Sequence, residues 1–117
     1  MNNENVYSFR SKEPIENNLL VKVIEDNTVA VAGVGDTAIG AVCNNRMALV
    51  VDVATNGRPR IKAAGDIKAG ECVAIAEGGK VSKATAGAYI GVALNDGEKD
   101  SLVTVLLTTG TITTTTV

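Results

Sequence analysis

The side chains best suited to chemistry lie in one short stretch, ECVAIAEGGKVSKA. Glu77 stands before Gly78 and Gly79, Lys80 follows them, and the thiol of Cys72 lies just upstream. A lysine at a hairpin tip could carry a covalently attached group, and a thiol could act as a nucleophile. Two consecutive glycines also supply the positive φ angles of a tight turn. The stretch favours this second interpretation, in which Lys80 is a solvated residue at the start of a strand.

The position of Lys80 is similar to that of the modified lysine in lipoyl and biotinyl carrier domains, which are small duplicated β sandwiches. Those carriers have hydrophobic residues beside the lysine, whereas two glycines precede Lys80 here. The equivalent position in the first half of the chain is Thr28. A carrier domain is therefore our third hypothesis for the function.

Nucleophilic catalysis has little support in the composition. The chain has no histidine, which excludes imidazole bases, Cys-His pairs and the commonest zinc ligand sets. Cys72 alternates with Val73 in a predicted strand, and Cys43 lies 29 positions earlier in another apolar segment. This spacing favours two buried thiols that form no disulfide. We therefore expect no catalytic residues and no enzyme activity.

The loop NDGEKD carries alternating oxygen ligands on Asp96, Glu98 and Asp100. It lacks the length and the closing glutamate of a calcium-binding loop. A solvated acidic loop is the favoured interpretation, and we expect no metal site and no cofactor.

Length and charge limit the possible partners. The 117 residues suffice for one domain with a single modest core. The chain carries 11 basic and 13 acidic side chains, and its net charge of -2 gives no basic surface for nucleic acid. The N-terminus shows no secretory signal, and the longest apolar run, 47–51, is far below the ~20 residues that cross a bilayer. We expect neither direct nucleic-acid binding nor membrane insertion.

Strands rather than helices are predicted throughout the chain, because apolar residues recur at a spacing of two far more than at three and four. LLVKVIEDNTVAVAG and ECVAIAEGGKVSKA read as hairpins, and YIGVAL and SLVTVLL as two further strands. The expected class is all-β.

The chain also aligns with itself at a shift of 52 positions, which places Ile15 on Ile67 and Val21 on Val73. One residue of slip then places IGAVCN over IGVALN, and LVVDV at Leu49 over LVTVL at Leu102. The repeats span 15–53 and 67–107. Each reads as four short strands.

A four-strand unit cannot bury both faces of its own sheet. The two units are therefore expected to pack into one β domain over 15–107, as a small β sandwich or a partly closed barrel. ATNGRPRIKAAGD reads as their connection. Residues 1–14 read as a polar N-terminal arm, and 108–117 as a Thr-rich C-terminal tail that could add an edge strand.

The order of elements in 64–110 resembles the capsid decoration, or cement, proteins of tailed bacteriophages. The likeness depends on the following order of elements: Gly and an acidic residue before an aliphatic residue, then GKV, Ala-Thr, IGVAL, a polar loop, and VTVLL followed by Gly. The resemblance implies a non-enzymatic protein, commonly a homotrimer, that binds the major capsid protein on the outside of the virion. Such a protein is assembled in the host cytoplasm and stabilises the head against the pressure of packaged DNA.

For capsid contacts we single out Tyr7, Phe9 and Arg10, because aromatic and arginine anchors tend to dominate interface energies. The alternative is that these side chains cover the core of their own domain. The runner-up function is a small β adaptor or head-fibre module that recognises a peptide or glycan, although the chain lacks the Trp side chains that usually stack on sugars.

Overall fold

The computed structural model describes residues 5–45 and 49–112, which form ten β-strands and one short 3-10 turn at Glu77–Gly79. The prediction of an all-β class is confirmed. Within the described ranges, no helix is long or apolar enough to cross a membrane. The strands are β1 (Val6–Ser11), β2 (Leu20–Glu25), β3 (Thr28–Val31), β4 (Gly40–Asn45), β5 (Val50–Ala54), β6 (Arg60–Lys62), β7 (Cys72–Ile75), β8 (Val81–Lys83), β9 (Gly87–Ala93) and β10 (Leu102–Ile112).

Strands β1 to β5 form unit 1, a closed barrel in the order β1-β3-β2-β4-β5. Closure occurs because β1 pairs antiparallel with β5 on one side and parallel with β3 on the other. Alternate residues point inward from each strand, as the period of two requires. The interior holds Ile15, Val21, Val29, Val42, Val51 and Val53, with Phe9, Val31 and Ile39 packed against them.

Strands β6 to β10 form unit 2, a five-stranded sheet in the order β6-β10-β9-β7-β8. A parallel bridge between Ala63 and Val81 brings its two edges together. The main core cluster combines the interior of unit 2 with residues of unit 1. Its buried members are Leu20, Ala32, Ala41, Ile61, Ala63, Ile67, Val73, Val81, Ala93, Val103 and Val105.

The two units share one pairing pattern, which confirms that the domain is built from two similar β units. Val21 pairs with Val31 in unit 1, and Val73 pairs with Lys83 in unit 2 at the same shift of 52. The bridge from Ala63 to Val81 likewise repeats the pairing of Ser11 with Val29.

The glycine of the repeated IG pair is explained by backbone crowding. A Cβ on Gly40 would overlap the carbonyl oxygen of Ala54 on β5. A Cβ on Gly91 would stand 2.5 Å from the carbonyl oxygen of Leu106, the counterpart of Ala54 on β10. In each unit, the strand that carries the IG pair therefore needs a glycine where it lies against the closing strand.

Each unit has one strand more than the sequence indicated. Residues 6–11 of the expected arm form β1, and residues 60–62 of the expected connection form its counterpart β6. The arm interpretation is wrong for these residues because Phe9 points into the barrel and packs on its core. Removing 1–14 would therefore open the barrel instead of trimming a tail.

The closing strands and the C-terminal tail also differ from expectation. Leu102 is the counterpart of Val50, because Leu102 pairs with Lys62 as Val50 pairs with Arg10. The alignment of Leu49 with Leu102 is therefore wrong by one residue. It would make a core valine of one unit equivalent to an outward-facing residue of the other. The expected tail is part of β10 as far as Ile112, and 113–117 lie outside the described residues.

The joint between the units accounts for the incomplete closure of unit 2. In unit 1 the amide of Arg10 donates to Asn27 O at 2.9 Å, which locks β1 to β3. The counterpart amide of Lys62 donates instead to Asn18 O of unit 1 at 2.9 Å. The Asn18 side-chain amide donates in return to Arg60 O at 3.0 Å. Strand β6 is thus shared between its own sheet and the neighbouring unit.

Candidate interaction surfaces

Lys80 is held against the protein and does not project from the hairpin. Its Nζ lies 2.9 Å from Asp100 Oδ1, and only 31% of its side chain is exposed. This hydrogen bond, and then the lysine charge, lower the pKa of the Asp100 carboxyl below its ordinary value. The positive φ angles of Gly78 and Gly79, 77° and 75°, show that the glycines serve the turn.

Two carboxylates of the acidic loop, those of Asp96 and Asp100, are used as hydrogen-bond acceptors within the fold. Asp96 Oδ1 accepts the amide of Ala69 at 2.8 Å, and Asp100 is occupied by Lys80. In the part of the chain that the structure describes, no group of three or more Cys, Asp or Glu side chains could hold a metal ion.

The two cysteines form no disulfide, but neither is a buried core thiol as expected. Cys43 is exposed, and its Sγ donates to Asp52 O at 3.5 Å. Cys72 is half-buried and lies on the outer face of β7, since the neighbouring Val73 is the residue that points inward. The alternation was recognised in the sequence, but the assignment of inner and outer positions was reversed for Cys72.

Tyr7 and Phe9 lie on the same side of β1, opposite the inward-facing Val53 and Val51, and Arg10 lies on the other side. Tyr7 pairs with Val53, and the residue is 55% exposed. Phe9 is half-buried against the barrel core, and Arg10 lies exposed on the outer side. Tyr7 and Arg10 are accessible to a partner, whereas Phe9 covers its own core in this structure.

An apolar groove lies beside β3, between that strand and the segment 12–15. It has a volume of about 380 Å³ and is lined chiefly by Pro14, Ile15, Ile24 and Val31. A charged pair, Lys12 with Glu25 at 2.6 Å, stands near this part of the surface. The groove has no aromatic side chain among its lining residues, so it offers no stacking platform for a sugar ring.

The outer face of unit 2 is an apolar surface that the sequence does not predict. Leu94, Leu102 and Leu106 are 41%, 39% and 40% exposed. Leu106 pairs directly with Val92, and Val92 with Cys72, which forms a continuous apolar row across three strands. The sequence concealed this face because both faces of these strands carry aliphatic residues.

The comparisons with known proteins rest on structure alone. No family model matches the chain, and no curated protein matches it. A solved structure, the head fibre N base of bacteriophage phi29, matches with a TM-score of 0.65 and 17% sequence identity over 90% of this chain and 94% of that one. The chain is similar in fold to a phage head-fibre base. Because both chains are covered almost completely, the likeness in fold extends over both units.

Proposed function

We propose that this chain is a non-enzymatic structural protein of a phage head, which binds the outer surface of the shell and stabilises it against the pressure of packaged DNA. The observation that carries the proposal is the match to a phage head-fibre base over nearly the whole of both chains. The order of elements in 64–110, which resembles decoration proteins, supports the same location on the virion from the sequence.

The architecture suits a clamp on a protein shell. Two aliphatic β units share a core, so the body transmits load with little deformation. We propose the major capsid protein as the partner and an oligomer, with a trimer expected, as the attached form. Several attachment points per oligomer allow weak contacts to sum to firm binding.

Arg10 is the residue that we assign to attachment, because it is exposed and its guanidinium can pair with a carboxylate of the shell. Its matched control is Arg60, which is equally exposed and lies on the counterpart strand β6. Co-sedimentation with undecorated expanded heads should show micromolar or tighter binding of the wild-type chain. Arg10→Ala should weaken that binding by roughly tenfold, whereas Arg60→Ala should leave it within about twofold.

Heat resistance of the heads gives a second readout. Decorated heads should release their DNA at a higher temperature than undecorated heads. No binding at micromolar concentration, or binding without added heat resistance, would contradict the stabilising role.

A head-fibre base is the second candidate, and the structural match is compatible with it. The two candidates differ in what the bound protein does. A fibre base should bind heads at few positions and leave their heat resistance unchanged, whereas a decoration protein should cover the shell and raise it. The carrier-domain hypothesis is tested by the intact mass after co-expression with a lipoyl or biotinyl ligase, where an unmodified Lys80 would end it.

A further inference from the structure

The joint within the chain buries one face of unit 1. Leu20, Ala41 and Ala54 form a row across β2, β4 and β5 on the outside of the barrel, because Leu20 pairs with Ala41 and Ala41 with Ala54. The row is only 1%, 0% and 0% exposed. Leu20 and Ala41 share a core cluster with unit 2. We name this row the joint face.

The counterpart row in unit 2 is uncovered. Cys72, Val92 and Leu106 occupy the same places in the repeat, with the same pairing across three strands. Cys72 and Val92 are half-buried, and Leu106 is 40% exposed. We name this row the open face. It has the position and the apolar character of the joint face, and no part of the described chain covers it.

The other half of the joint shows the same asymmetry. Unit 2 contributes Ile75, which packs against the shared cluster, and Pro59 of the same unit is buried as well. Their counterparts in unit 1 are Val23 and Tyr7, which are 51% and 55% exposed. We name Val23 and Tyr7, with the neighbouring turn residue Asn27, the open tip. The chain thus displays uncovered versions of both surfaces that meet in its own joint.

We propose that copies of this chain associate head to tail, with the open face of unit 2 in one copy binding the open tip of unit 1 in the next, in the geometry of the joint within the chain. The inference goes beyond attachment to a phage head and stands independently of it. A contact between two different surfaces is heterologous, so it closes into a ring or extends as a filament according to its rotation.

The side chains at the centre of the contact fit this assignment. In the joint, the Cα of Gly79 packs so closely that a Cβ would stand 3.2 Å from Leu19 Cβ and 2.9 Å from Val31 Cγ1. The counterpart of Gly79 is Asn27. The counterparts of Leu19 and Val31 are Glu71 and Lys83, an ion pair at 3.0 Å.

At this position the joint within the chain is apolar, whereas the proposed contact between copies is polar on both surfaces. A polar side chain of Asn27 would meet a charged pair, as is usual at the rim of a reversible protein interface. The amide of Arg10 is already bonded within its own barrel, so the backbone hydrogen bond from Lys62 to Asn18 has no counterpart between copies. We expect association that depends on concentration, and not a permanent fusion of the units.

Sedimentation velocity of the full chain over a range of concentrations tests the proposal with point variants. Leu106→Asp places a carboxylate on the open face and should raise the dissociation constant at least about tenfold. Leu102→Asp is the matched control, since Leu102 lies on the same face of the same strand with 39% exposure but outside the row. Val23→Asp places the same charge on the open tip and should also give monomers.

Mixing the two monomeric variants distinguishes head-to-tail contact from face-to-face contact. Leu106→Asp retains its open tip and Val23→Asp retains its open face, so an equimolar mixture should form dimers and nothing larger. If Val23→Asp alone associated as strongly as the wild-type chain, the open tip would be dispensable and the proposal would be overturned. A wild-type chain that stays monomeric up to about millimolar concentration would overturn it as well.

Cross-linking provides a test that does not depend on how the charged variants fold. Asn27→Cys combined with Glu71→Cys places two thiols at the counterparts of the close Gly79 and Leu19 positions. The background carries Cys43→Ser and Cys72→Val, since valine keeps the open face apolar. Mild oxidation should give disulfide-linked rings or ladders, since the distance is close to that between the Cβ atoms of a disulfide. Linkage no greater than with Asn27→Cys and Leu102→Cys would overturn the proposed geometry. Because none of these assays uses phage heads, their outcome is separate from that of the attachment experiment.

Discussion

Substitution of Gly91 by alanine tests the crowding that both units share. The new Cβ would stand 2.5 Å from Leu106 O and 2.5 Å from Val105 Cγ1. Favourable contacts between carbon atoms lie at about 3.5–4.0 Å, so the strands must separate by about 1 Å or the valine must leave its rotamer. Val105 is 0% exposed, so its side chain cannot turn outward into solvent without disturbing the core around it.

Overpacking of this kind destabilises a protein by about 1–3 kcal/mol. Loss of glycine freedom in the unfolded chain offsets about 0.4–1 kcal/mol of that. We therefore expect Gly91→Ala to lower the free energy of unfolding by about 1–2 kcal/mol. For a chain of this size, the melting temperature should fall by roughly 3–8 °C.

Urea denaturation followed by circular dichroism measures the change, with Gly65→Ala as the matched control. A Cβ on Gly65 would meet no atom within 4 Å, and its φ lies outside the left-handed region. We expect the control to be neutral or to stabilise the chain by up to about 1 kcal/mol. Equal stability of the two variants would show that the paired glycines are not needed for close approach of the strands, and would refute the reasoning.

Three further predictions concern stability. Ser11 Oγ is buried with no hydrogen-bond partner among the described residues, and the counterpart of Ser11 in unit 2 is Ala63. Ser11→Ala should therefore stabilise the chain by about 1 kcal/mol in urea titrations. Destabilisation would reveal a hidden partner. The hydrogen bond from Lys22, and then that from a backbone amide, hold the pKa of Asp36 below its ordinary 3.8. The charged form of Asp36 therefore stabilises the fold fully at a pH above 3.8, and this stabilisation is lost as the pH falls below that value. Lys22→Met should make the urea midpoint less sensitive to pH between about 4 and 2, and an unchanged acid profile would contradict this. Leu20→Ala empties the centre of the joint and should lower the unfolding free energy by about 2–5 kcal/mol in the same assay, whereas a loss below 1 kcal/mol would mean that the units barely support each other.

The repeat was readable from the sequence because its core positions keep their spacing. Val21 and Val29 recur as Val73 and Val81, and all four are 0% exposed. The additional strand of each unit, β1 or β6, could not be predicted from the sequence. Strand β6 has three residues with a single inward side chain, which is too short to show a period of two. Its position was fixed by pairing with β10 and by the joint, and both are tertiary contacts.

The candidate surfaces were less predictable than the fold, because hydrophobic residues mark cores and interfaces alike. Leu106 is as aliphatic as the buried Val105 beside it, and only the pairing register shows that it faces outward. Tyr7 was singled out for its residue type and is exposed. Phe9 was singled out for the same reason and packs on the barrel interior.

The duplication lets each position be compared with its counterpart in the same chain. Where the two residues have similar type and burial, as in the barrel interiors, folding alone accounts for them. Tyr7 and Pro59 occupy equivalent places, yet Tyr7 is 55% exposed and Pro59 is buried. Folding of the barrel alone does not require a large aromatic ring at this exposed position, and burial of such rings dominates the energy of many interfaces. The difference between the units, and not their likeness, is therefore the basis on which we propose surfaces for contact with other molecules.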